Sequence, residues 1–295
     1  MIAELLKGSV DNHIHCCPHI NKRSTNIFQV VEQAEKLKMH AIGLMDNFSN
    51  TSGYASLIGK YKPKLKLKIF GGLIMEPPSG GVSYENAKIA LKYAYNTNEG
   101  AKFISFPTHH TKFVAKQEKR NKDYIRSCFH VPLSGPNYET SKILELIAKK
   151  NIVLNTGHLS SNETLVLVKY AKKIGVKKIL VPANNFDTTT ISQLKKFNIK
   201  FEFSYFFISK AANIPLTHVD GEKHKIKGTN ESELKKLIVE AEPKNVILSS
   251  DSGVSVLPLP NISFFNFIEK IIKLGFSKKD INYMIKINSK KLFNL

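Results

Sequence analysis

The sequence predicts a (β/α)8 barrel, and three observations carry the prediction. Eight short apolar runs alternate with segments of helical periodicity, the βα repeat of a parallel sheet. Polar or ionisable residues recur at the ends of those runs, just before the next helical segment. The chain has 295 residues, the size of a single barrel with one insertion, and no linker or composition shift divides it, so residues 1–295 read as one domain. A doubly wound open sheet is the alternative. No Gly-x-Gly-x-x-Gly follows a strand, so dinucleotide binding has little support.

The first strand is predicted over 8–15 and ends in His13-Ile14-His15. Alternate strand residues share a face, so His13 and His15 project together while Val10 and Ile14 face apolar packing on the other side. A loop with Pro18 and Arg23 follows. Thr25 caps a helix over 27–38, where Val30, Val31, Ala34 and Leu37 keep helical spacing. The apolar run 41–45, bounded by Asp46 and Asn47, is a buried second strand, and 51–61 suits a short helix. The third strand covers 65–75 and ends at Glu76 before the Pro77-Pro78 turn.

A helix over 84–95 leads to the fourth strand, 101–106, which ends in Pro107-Thr108-His109-His110. Residues 108–136 are polar and basic with little periodicity and read as an inserted, lid-like segment over one barrel face. After a helix over 138–149, the fifth strand, 152–155, ends in Thr156-Gly157-His158. Ser161 caps the next helix and Gly175 stops it. The sixth strand, 178–181, ends in Pro182-Ala183-Asn184-Asn185. A helix over 188–197, a seventh strand over 199–206 and an irregular stretch over 207–229 follow. A helix over 231–240 precedes the eighth strand, 245–249, which ends in Ser250-Asp251-Ser252-Gly253. Helices over 262–274 and 279–287 close the chain.

The net charge of +20 is of the kind that marks nucleic-acid binders. Only Arg23, Arg120 and Arg126 among the 44 basic residues are arginine, and nucleic-acid readers lean on arginine's planar fork. Nucleic acid is therefore not an expected partner. A small anionic substrate drawn in by this field is. No run of 18 apolar residues exists, so no membrane span is predicted. The first residues lack a signal-peptide pattern, and a cytoplasmic protein is the simplest reading. Cys16, Cys17 and Cys128 suggest no disulfide framework and read as small buried fillers. Aromatic clusters at 203–207 and 264–267 suit a core or a homo-oligomer interface.

In a barrel the C-terminal strand ends share one rim, where catalytic groups gather. Residues far apart in sequence then surround one cavity. His13, His15, His158 and Asp251 would supply three imidazoles and a carboxylate to one divalent ion, most simply zinc, with Mn, Fe or Ni as alternatives. Asp251 is the candidate catalytic base for a metal-activated water. Arg23, His109 and His110 are candidate substrate-binding residues, Arg23 as a bidentate clamp. Each has a plainer reading. His158 can satisfy loop backbone, Asp251 can bond its own turn, Arg23 can sit on the surface, and only one of His109 and His110 can point inward. Glu76 and Asp46 are candidates for bridging a second ion. His40, His130, His218 and His224 lie away from strand ends and are read as non-ligands.

A histidine pair after the first strand, a histidine after the fifth and an aspartate after the eighth resemble the amidohydrolase superfamily of metal-dependent hydrolases. The likeness is closer to an uncharacterised group of predicted metal-dependent hydrolases related to it. Val10-Asp11-Asn12-His13-Ile14-His15-Cys16-Cys17-Pro18-His19 with Arg23 looks like that group's opening motif. Phe70-Gly71-Gly72-Leu73 with Gly80-Gly81, Phe106-Pro107-Thr108, Thr156-Gly157-His158-Leu159-Ser160 and Leu248-Ser249-Ser250-Asp251-Ser252-Gly253 look like later motifs, and 288–293 like its closing helix. The resemblance implies a hydrolase acting on a C–N or C–O bond. A phosphoesterase on the same barrel, or a non-catalytic binding barrel that has lost a metal ligand, are the alternatives. The sequence departs from the superfamily pattern after the sixth strand, where Asn184-Asn185 stand in place of a histidine. No lysine ends the fourth strand, so the resemblance implies one metal rather than a carbamate-bridged pair.

Overall fold

A computed structural model describes residues 2–95, 100–217 and 219–295, without the side chains at 217 and 224. Eight parallel strands form a ring. β1 (Val10–Ile14) pairs with β2 (Ala41–Leu44), and β2 with β3 (Lys68–Gly71). β3 resumes after Gly72 as Leu73–Ile74, and this second half pairs with β4 (Phe103–Ser105). Gly72 permits the hand-over, because a Cβ there would overlap the Phe103 carbonyl oxygen. β5 (Val153–Asn155), β6 (Lys178–Pro182), β7 (Lys200–Ser204) and β8 (Val246–Ser249) continue in chain order. The ring closes just past β8. Ile14 bridges Ser252 in parallel, His15 N–H donates to Ser252 O at 2.8 Å, and Asp251 N–H donates to His13 O at 2.9 Å. The fold is a (β/α)8 barrel.

Alternation along the strands sorts the core into two layers. Val10, Phe70, Phe103, Val153, Leu180 and Ile247 meet inside the ring, joined by Phe293 of the last helix, Asn288–Phe293. Their neighbours Ile42, Leu154, Val181 and Leu248 pack outward against the helices. Phe203, Phe206, Phe207, Phe264, Phe265 and Phe267 are all buried, so the aromatic clusters are core.

β1 departs from strict alternation, and the departure shapes the site. Its register with β2 shifts between Asp11 and Ile14. Val10 consequently sits in the inner cluster and Ile14 in the outer one, not on a common face as alternation predicts. Asn12 and His13, adjacent in sequence, both reach the same interior carboxylate, Glu202. Such irregularities commonly re-aim side chains beside functional sites.

Several local expectations shift by a residue or more. Asn26, not Thr25, caps Ile27–Lys36, with Gln29 completing a capping box. Ser160, not Ser161, does the same for Ser161–Lys173 with Glu163. The helix expected over 84–95 is confined to Tyr84–Ala90. The segment 108–136 contains two short helices, Lys112–Gln117 and Lys122–Ser127, and Arg120 ties it to Asp220 beyond β7. The stretch 207–229 carries a 3-10 turn, Lys210–Asn213, and an antiparallel hairpin of Leu216–Thr217 with Lys223–His224. The expectation for His218 lies outside the described residues, as does that for the side chain of His224. Among the described residues no helix is long and apolar enough to cross a membrane.

Candidate metal centre

Closure of the ring brings the end of β1 against the residues following β8. His13 Nε2 and His15 Nε2 lie 3.1 Å apart. Asp251 Oδ1 stands 3.3 Å from the first and 3.4 Å from the second. A tetrahedral ion with bonds of about 2.0–2.1 Å holds its ligand atoms about 3.3 Å apart, so the triangle has the edge lengths of such a site. Among the described residues this is the one cluster of three or more His, Cys, Asp or Glu ligand atoms within 4.8 Å of one another.

The backbone beneath Asp251 is unusual. Asp251 adopts a left-handed conformation with φ of 46°, which aspartate tolerates better than most residues. Two residues on, Gly253 has φ of 130°, and a Cβ there would overlap the His15 carbonyl oxygen. Only glycine lets this loop lie flat against the histidine strand.

Surrounding groups hold the triangle in place. Glu202 on β7 is buried, and its Oε1 accepts from His13 Nδ1 at 3.2 Å and from Asn12 Nδ2 at 2.9 Å. A proton on Nδ1 leaves the lone pair of His13 on Nε2, facing the triangle; carboxylates orient metal-binding histidines in this way. Burial disfavours a charged His13, but Asp251 and Glu202 outweigh it and push its pKa up to about 9. For Asp251 burial likewise opposes the charge, and the imidazoles of His13, His15 and His158 hold the carboxyl far below the usual range. The position between them therefore favours positive charge. His15 is driven the other way, chiefly by burial, with His13 and Arg23 adding to it. Its Nδ1 is buried without a partner.

His158 lines the same cleft from β5, edge-on to Phe207 at 6.0 Å between ring centroids. It lies outside the compact triangle but close enough to feel Asp251 and His13, and burial lowers its pKa. After β6, Asn184 occupies the place where a histidine is absent. Its Oδ1 accepts from Ser204 N–H at 3.2 Å, and the Ser204 hydroxyl donates to Asp251 Oδ2 at 3.2 Å. Asn184 thus steadies the carboxylate through a serine.

The remaining candidates divide. His109 lines the cleft, whereas His110 turns away toward Ser127 and the face of Tyr124. Adjacent residues on extended backbone point apart, so one of the two faces inward. Glu76 is fully buried and accepts from the backbone N–H groups of Thr108, His109 and His110. It organises the loop after β4 and has no oxygen turned to the triangle. Asp46 caps Phe48 N–H at 3.0 Å and lies 3.4 Å from His19 Nε2. Arg23 lines the cleft with one guanidinium nitrogen on His19. Burial pushes the Cys16 thiol up to about 12, so it is no thiolate.

Sequence reasoning missed Glu202 and Ser204, and a signal for both existed. Glu202 and Ser204 alternate with Phe201 and Phe203 on a strand buried on both faces. A charge inside such a strand requires a partner.

Residues 8–201 match the model of a family of unknown function, DUF6282. The chain belongs to DUF6282. The match takes in both histidines of β1, Arg23, His109 and His158, and stops within β7 before Glu202 and Asp251. No curated protein matches this DUF6282 member. Solved structures share its fold. An amidohydrolase from Pseudomonas aeruginosa superposes with a TM-score of 0.59 at 10% identity, over 99% of this chain and 98% of that one. The organophosphorus hydrolase from Deinococcus radiodurans gives 0.57 at 11% identity, over 99% and 93%. A mutant PTE-like lactonase from the same organism gives 0.58 at 11% identity, over 99% and 97%. This member of DUF6282 thus shares its barrel fold with these proteins.

Proposed function

We propose that this DUF6282 member is a metal-dependent hydrolase of the cytoplasm, acting on a C–N or C–O bond of a small anionic molecule. The observation that carries the reading is the triangle of 3.1, 3.3 and 3.4 Å between His13, His15 and Asp251. Those three residues would hold one divalent cation, most simply zinc, and His158 is the fourth candidate ligand. When bound, such a cation polarises a substrate oxygen and lowers the pKa of water.

The chain's own groups do the rest. Glu202 keeps His13 in the tautomer that presents Nε2. Asp251 turns Oδ1 to the imidazoles, while Oδ2 takes the Ser204 hydroxyl. Asp251 accepts the proton of the attacking water and returns it to the leaving nitrogen or oxygen as the scissile bond breaks. Arg23 and His109 bind the substrate from the cleft wall. Neighbours named as amidohydrolase and lactonase suit this chemistry on the same barrel. One named as organophosphorus hydrolase makes a phosphoester the second substrate to try.

Elemental analysis of the purified protein tests the reading, before and after soaking in Zn2+ or Mn2+. About one divalent ion per chain is expected, lost in His13→Ala and His15→Ala. A wild-type protein that holds no stoichiometric metal and gains none on soaking would end it. A chromogenic panel of amides, esters, lactones and phosphoesters then identifies the bond.

A further inference from the structure

The cleft above the triangle is open to solvent and has a cavity volume of about 80 Å3. Phe206, Phe207, Leu216 and Ile226 make an apolar stretch of its wall. This wall is packed, not loose. Phe206 and Phe207 form a buried cluster with Ala211, Ala212 and Leu257, against which Leu216, Ile226 and Val254 lie.

Arg23 also lines the cleft, next to Val254, with which its backbone makes an antiparallel bridge. In a chain with 44 basic residues, Arg23 is the one Lys or Arg among the described residues lining this cleft. Its guanidinium meets the ring of His19, and burial with Arg23 itself keeps that ring neutral by lowering its pKa to about 3. Arg23 Nε is buried with no partner, and no carboxylate of the described residues lies within ion-pair distance of the guanidinium. Burial works against its charge, while Asp46 and Asp251 favour it from farther off. A half-buried cation without an anion, facing the cleft beside the triangle, is a receptor for one.

We infer that the substrate carries a single anionic group, held by Arg23, on an aryl or branched-alkyl body seated against Phe206, Phe207 and Ile226. The inference rests on the hydrolytic reading of the site and narrows it. A second anionic group on the body itself would face that apolar wall, where burying a charge unpaired is costly. The global charge of the chain does not converge on this cleft.

Calorimetric titration of the metal-loaded protein tests this with probes that coordinate metals poorly. They are 2-phenylethanesulfonate, neutral 2-phenylethanol, methanesulfonate without a body, and benzene-1,3-disulfonate with a second charge. The phenyl monosulfonate is expected to bind about tenfold or more tightly than each of the other three. Arg23→Gln should erase its advantage over the alcohol, and Arg23→Lys should keep part of it. Ile226→Ser should weaken both the phenyl monosulfonate and the alcohol and leave methanesulfonate unchanged. Equal or tighter binding of the disulfonate or methanesulfonate would overturn the inference, as would an unchanged preference in Arg23→Gln. Metal content and thermal unfolding, measured on the same samples, separate the two readings. Full metal with no preference sinks this inference alone; absent metal with the preference intact sinks hydrolysis and leaves the anion site standing.

Discussion

Asp251 and Glu76 are both carboxylates following barrel strands, both largely buried and both on the same rim, yet the structure uses them in opposite ways. Glu76 is enclosed by backbone N–H groups of the loop after β4, with the Thr108 hydroxyl at 3.1 Å as well. Asp251 meets two imidazole nitrogens whose partner atoms are each other and itself. The two regions teach what a strand-end acid needs in order to become a ligand. Position on the rim is not enough; an oxygen must be left to face the imidazole nitrogens, as Asp251 Oδ1 does, rather than be taken up by loop donors.

The comparison can be broken by exchanging the outcomes. The largest effect is expected from Asp251→Ala, His13→Ala or His15→Ala. Bound metal should fall from about one ion per chain to none by elemental analysis, since each removes one of three ligands. Glu76→Gln should do the reverse, keeping the metal stoichiometry and lowering stability by about 2–3 kcal/mol in urea unfolding, through weaker bonds to the loop amides. Loss of metal in Glu76→Gln with wild-type stability would invert the assignment of the two acids.

Smaller effects sharpen the picture around the triangle. Glu202→Gln should weaken metal affinity about 10–100-fold in competition with a chromogenic chelator, and Glu202→Asp less so. An unchanged affinity would mean that the His13 ring is held by packing alone. Ser204→Ala should cost about tenfold or less, because Asp251 keeps its imidazole partners when the hydroxyl is gone. Saturating metal should raise the unfolding midpoint of the wild type and not that of Asp251→Ala, as expected when a ligand binds only the folded state.

Much of this architecture was legible in the residues. The eight apolar runs located the strands, because a barrel strand buried on both faces must be apolar over a short window. His13, His15, His158 and Asp251 stood out because each falls where a strand gives way to a loop. The grounds for the histidine pair were incomplete. Alternation explains why His13 and His15 share a face, but the shift in β1 decides that this face is the interior, and no local pattern encodes a register slip. Glu202 and Ser204 were hidden because both fall within the apolar run 199–206 rather than after it. Asn184 reads as a missing ligand in sequence, while its link to Asp251 through Ser204 depends on two strands lying side by side.

The seam of the ring has a mechanical consequence. His13 and His15 sit on the opening strand and Asp251 beyond the final one, and the Asp11 carboxylate already reaches Ser250 N–H at 3.0 Å across 239 residues of chain. An ion held between them would rivet the barrel shut at its one non-sequential joint. Chelation would then loosen this joint before any other, and the amides of His15 and Asp251, which lace it together, would be the first in the barrel wall to exchange their hydrogens with solvent.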